Sequence, residues 1–133
     1  MRLNQDCIRD VMIDVEEHST WDAYPANMVM PTGLKTYSSY KKYGHDDFIY
    51  TLDKLCEAKL IQGAPQKGGD TITDFYVYGL TWEGHKFIDT IRDPKVWSNT
   101  KKVASHLESV SVSLLSSIGS NVINHMIDKS LSK

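Results

Sequence analysis

The sequence predicts an α+β fold, and three observations carry that prediction. The stretch from Leu80 to Trp97 reads as a strand end turning straight into an amphipathic helix. Upstream, Pro65-Gln-Lys-Gly-Gly69 separates two β-type runs, which makes a hairpin. Two further segments, near the start and in the middle, carry apolar residues at spacings of three and four, the period of a helix with one buried face.

The elements follow in order. Asn4 or Asp6 can cap a first helix, whose apolar face is Cys7, Ile8, Val11, Met12 and Val15. Asp10, Asp14, Glu16 and Glu17 take its other face, and the helix fades at His18-Ser19. Trp21 to Tyr24 reads as a connector. Met28-Val29-Met30, ended by Pro31 and Gly33, is long enough for one brief strand. Thr36 to Tyr43 reads as a short helix closed at Gly44, with Ser38 and Ser39 as candidate caps. Asp46 or Asp47 can cap the next helix, with Phe48, Ile49, Leu52, Leu55 and Cys56 inward. Leu60-Ile61 leaves it as a strand, and Phe75 to Leu80 returns. Thr81 is a good N-cap for the helix of Trp82, Phe87, Ile88 and Ile91, which Pro94 stops. The order helix, short strand, short helix, helix, hairpin, helix is that of a winged helix-turn-helix. We place this domain at residues 1–97.

Residues 98–133 change in character. They contain no proline and one glycine, Gly119, and they are rich in serine. Val103, Leu107, Val110, Leu114, Ile118, Val122 and Met126 recur at helical spacing, with Leu115, Ile123 and Ile127 widening the stripe. This predicts one amphipathic C-terminal helix over roughly 99–131. Serine is a mediocre helix former, so the helix needs a packing partner. Oligomerisation through that stripe, as a homodimer or on another protein, is the expectation.

Composition bounds the role. A chain of 133 residues is one domain, or one small domain with an extension. The net charge of −2 makes no global case for nucleic acid, yet charge is uneven: residues 1–34 hold two bases and six acids, residues 94–133 five bases and two acids. Two well-separated cysteines, Cys7 and Cys56, fit a reduced cytoplasmic pair of core thiols. The chain shows no signal-peptide pattern and no window near the roughly 18 apolar residues of a membrane span. The histidines (His18, His45, His85, His106, His125) form no metal-spaced pair, so no metal or cofactor is expected. Gly63, Gly68 and Gly69 surround a turn, not a phosphate loop, and no nucleophile motif is present. These features predict a protein that is not an enzyme.

The stretch Leu80-Thr81-Trp82-x-Gly84-His85-x-Phe87, followed by Ile91-Arg92-Asp93 and Trp97, resembles the hallmark of a bacterial and phage family, the domain of unknown function 2513. The opening helix, with Asp6, Ile8, Arg9 and Glu16, is similar to that family's start. So is the middle helix, at Tyr50, Leu52, Leu55, Glu57, Ala58, Leu60 and Ile61. The chain departs from the family at Thr51, where histidine is expected, and at Lys59, where glycine is expected. The resemblance covers about residues 4–100. It implies a winged-helix module of the kind found in prophages, and it implies no particular reaction.

The leading functional expectation is a DNA-binding regulator. Lys35, Tyr37, Tyr40, Lys41, Lys42 and Tyr43 form a basic aromatic patch, Lys67 sits at the wing tip, and Tyr50, Thr51 and Lys54 face outward from the recognition helix. The alternative is an adaptor that docks on another protein, because that same helix also presents Asp46, Asp47, Asp53 and Glu57. Trp82, Phe87 and Trp97 are expected as buried anchors, with Trp82→Ala costing about 3–5 kcal/mol.

Overall fold

A computed structural model describes residues 3–19, 37–69, 71–107 and 110–131. The connector expected at Trp21–Tyr24, the strand expected at Met28–Met30, and Lys35 lie outside the described residues. Among the described residues the protein is α+β, with six helices and one two-stranded antiparallel sheet. It divides into two compact units, residues 1–85 and 86–133.

The N-terminal unit opens with α1 (Gln5–His18), capped by the Asn4 side chain accepting from the Cys7 N–H at 3.1 Å. Its apolar face is buried as the spacing predicts: Cys7, Ile8, Val11, Met12 and Val15. Helices α2 (Ser38–Tyr43) and α3 (His45–Glu57) follow, separated by Gly44 at φ +89°, a conformation costly for other residues. Neither Asp46 nor Asp47 caps α3. Gly44 holds the N-cap without a side-chain bond, and both aspartates lie in the first turn, where their charge suits the dipole. Phe48, Leu52 and Leu55 pack inward, while Ile49 and Cys56 are half-buried. Thr51 joins the inward face, because positions 48, 51, 52 and 55 share one helical stripe.

Helix α3 ends in a Schellman arrangement. The N–H of Leu60 bonds the Leu55 carbonyl at 3.0 Å, and the N–H of Lys59 bonds that of Cys56 at 3.0 Å. Lys59 therefore sits at φ +63°, in the left-handed region. The expected family glycine at this position has a physical reason, since left-handed geometry costs a side chain about 1–2 kcal/mol. Lys59→Gly should raise stability by about 1 kcal/mol, less the added entropy of the unfolded chain. A drop in the urea midpoint would contradict this backbone assignment.

Strands β1 (Ile61–Gly68) and β2 (Thr71–Leu80) form the hairpin. They are longer than expected, and most of the Pro65–Gly69 turn cluster is strand. Pro65 pairs with Phe75, and the register shifts one residue further on, between Gln66 and Lys67. Phe75 and Val77 turn into the core, and β2 packs on α1.

Helix α4 (Trp82–Ile91) begins where β2 ends. The Thr81 hydroxyl accepts from the Gly84 N–H at 3.0 Å and donates to the Lys59 carbonyl at 2.6 Å. Gly84 is buried directly against the Leu60 backbone. Phe87, Ile88 and Ile91 are buried as expected, but Trp82 is 75% exposed.

In the C-terminal unit, Pro94 does not simply stop a helix. It opens the next one, α5 (Pro94–Ala104), behind an Asp93 cap that accepts from the Lys95 and Val96 N–H groups. Trp97 is buried, and residue 97, the expected domain edge, lies inside α5. The single helix expected over 99–131 is two helices: α5 breaks after Ala104, and α6 (Val112–Leu131) starts where Ser111 accepts from the Leu114 N–H. The two pack together through Val96, Trp97, Thr100 and Ala104 on one side and Leu115, Ile118 and Gly119 on the other.

Candidate functional site

The basic aromatic patch is built on α2, and its neighbour α1 decides what it can do. The acid face of α1 was expected to point outward. Instead Asp14 is buried, and its carboxylate accepts from the Ser39 N–H at 2.8 Å and from the Ser39 hydroxyl. A carboxylate on the first turn of α2 satisfies an otherwise orphan N–H and complements the helix dipole. One turn earlier on α1, Asp10 accepts from Lys42 Nζ at 3.2 Å and from the Tyr43 hydroxyl at 2.6 Å. Burial and the bond to Asp10 raise the Tyr43 phenol well above its ordinary pKa. Two acids of α1 are thus bonded to α2, Asp14 to Ser39 and Asp10 to Lys42 and Tyr43.

The remaining candidates for DNA contact divide sharply. Tyr37 is 1% exposed, stacked on His18 with ring centres 4.2 Å apart and edge-on to Phe48. Thr51 is also 1% exposed, and its hydroxyl bonds the Cys7 thiol. Neither can reach a nucleic acid while the core is closed, so both leave the expected DNA surface. Tyr40 is half-buried, edge-on to Phe48, and bonds His45 Nδ1 at 3.1 Å. Lys54 pairs with Glu57 at 3.0 Å and lies over the Tyr50 ring, 5.6 Å from its centre. Lys41 is exposed. The side chain of Lys67 lies outside the described residues. The same side of α3 that carries Tyr50 and Lys54 presents Asp46, Asp47, Asp53 and Glu57.

Sequence reasoning missed Trp82 as a surface residue. A signal was present: Phe87 is five positions on, off the three-or-four spacing that joins Gly84, Phe87, Ile88 and Ile91. Beside it His85 is exposed, with Nδ1 3.9 Å from a Glu16 carboxylate oxygen on α1.

Both cysteines are free, and burial raises both thiols, Cys56 to about 12, so neither forms a ready thiolate. Among the described residues, no group of three or more His, Cys, Asp or Glu side chains is arranged to hold a metal ion. None of the described helices is long and apolar enough to cross a membrane.

The C-terminal unit offers a groove of about 480 Å³ between α5 and α6. Val103, Ile118, Val122 and Met126 line it, with Asn99, Lys102, Asn121 and His125 as its polar members. The expected oligomerisation stripe divides here. Ile118 is buried inside the unit, Val110, Val122 and Met126 are half-buried, and Val103, Leu107 and Leu114 are exposed.

These features describe a small α+β protein. The chain belongs to the family described as "Hypothetical protein (DUF2513)", whose model matches residues 2–111. It is also similar to an "Uncharacterized protein" of Haemophilus influenzae (strain ATCC 51907 / DSM 11121 / KW20 / Rd), 23% identical over 128 residues, covering 96% of this chain and 99% of that one. No solved structure matches the chain.

Proposed function

We propose that the chain is a non-enzymatic interaction module, built on a winged helix-turn-helix, that docks another polypeptide. The observation behind this reading is the state of the expected DNA face. Its Lys42 and Tyr43 are bound to Asp10, its Tyr37 and Thr51 are in the core, and its Lys54 is paired with Glu57. What remains on α3 is largely carboxylate, which phosphates repel at close range. Trp82 supplies the opposite kind of surface. A large ring held in water at a helix start is the type of residue that anchors protein interfaces.

A DNA-binding regulator of phage type is the second reading. It is favoured by exposed Lys41 beside Tyr40 and by the order of the helices and hairpin. Site-specific photo-crosslinking in the native cell separates the two. A photoreactive residue at position 82 should yield an adduct that proteases remove and nucleases do not. A nuclease-sensitive adduct at position 41, with none at 82, would favour DNA.

A further inference from the structure

The groove of the C-terminal unit has the size of a small-molecule site, about 480 Å³. Ile118, Val122 and Met126 of α6 and Val103 of α5 give it an apolar floor. Lys102 and Asn99 stand on one wall, Asn121 and His125 on the other. Among the described residues no acidic side chain lines it.

The groove also has a direction. The short connection of residues 105–111 makes α5 and α6 antiparallel neighbours. A Cβ on Gly119 would lie 3.7 Å from the Thr100 hydroxyl oxygen, so those two positions are level. Lys102 is then level with residue 117, and Met126 lies the other way from Gly119. The two ends of the groove are about 13 Å apart, at 1.5 Å per residue. Among the described residues Lys102 forms no ion pair, whereas its neighbour Lys101 lies over the Trp97 ring. The one acid of α6, Asp128, is beyond the Met126 end. Positive charge therefore stands at the Lys102 end, and the apolar floor runs away from it.

We propose that this groove binds a free single-chain amphiphile with one anionic head, a medium-chain carboxylate. The head sits on Lys102, and the tail lies over Val103, Ile118 and Val122 toward Met126. Asn99, one turn from Lys102 on the same helix, can donate to the same head. The span takes a chain of about ten carbons, at about 1.3 Å of reach per zigzag bond. A cationic amphiphile would meet Lys102 and no carboxylate. The site lies wholly within the C-terminal unit, so it stands apart from the docking reading.

The test uses the full chain with isotope-labelled methionine methyls, titrated with decanoate below its micelle concentration. The Met126 resonance should shift saturably, and that of Met12, in the core of the N-terminal unit, should stay. Decyltrimethylammonium has the same chain and the opposite charge, and should bind about tenfold more weakly or worse, the worth of one charge-assisted contact. Lys102→Glu and Val103→Glu change exposed side chains, so both proteins should fold, and each should lose about as much affinity for decanoate. A Met126 resonance that does not move overturns the proposal. So do equal affinities for the two amphiphiles, or a Lys102→Glu protein that binds decanoate as tightly as the wild type. Sedimentation with phosphatidylglycerol vesicles by a protein that takes up no free decanoate would overturn it too, and would assign the groove to a membrane surface.

Discussion

Gly84→Ala should destabilise the protein by about 3 kcal/mol or more, although alanine is the better helix former by about 1 kcal/mol. A Cβ at this position would overlap the Leu60 carbonyl oxygen, with the Leu60 carbonyl carbon at 3.0 Å and its Cα at 3.4 Å. That carbonyl cannot move aside freely, because it accepts the Thr81 N–H at 3.0 Å, while Thr81 also bonds Lys59. Overpacking alone costs about 1–3 kcal/mol, and here the obstacle is backbone held from both sides. Chemical denaturation of the two proteins gives the difference. A loss below about 1 kcal/mol would mean that α4 is not seated on Leu60.

Phe87→Ala and Trp82→Ala should part company, though both remove a large ring from the same helix. Phe87 is buried, so its truncation should cost about 3–5 kcal/mol through lost burial and the cavity left behind. Trp82 is mostly in water, so its truncation should cost less than about 1 kcal/mol, as surface changes do. This reverses the sequence expectation of a buried Trp82. Equal losses in the two variants, measured by urea unfolding, would return Trp82 to the core and remove it as a docking anchor.

The contrast between these two residues shows what a sequence discloses. Local periodicity placed α1, α3 and α4 correctly, because one face of each is buried and the period is short. It failed between Ala104 and Val112, where Val103, Leu107, Val110 and Leu114 keep helical spacing across a real break. The serines there were the missed signal, since Ser111 caps α6. Pro94 misled in the same way: with Asp93 before it, it marks a helix start as well as a stop. The candidate site was legible residue by residue but not as pairs. Asp10 and Lys42 are 32 positions apart, and Asp14 and Ser39 are 25 apart. No local pattern shows that these side chains bond each other. Part of a patch read as waiting for phosphate, Lys42 and Tyr43, is bonded to Asp10 within the fold.

The most direct test of the docking reading is selection of binding sites from a pool of random duplex DNA by the intact protein, at low and at physiological salt. An interaction module should enrich no motif, and any retention at low salt should vanish at physiological salt, as sequence-independent phosphate attraction does. Enrichment of a single motif that still binds at physiological salt, and whose binding is lost in Lys41→Glu, would contradict it.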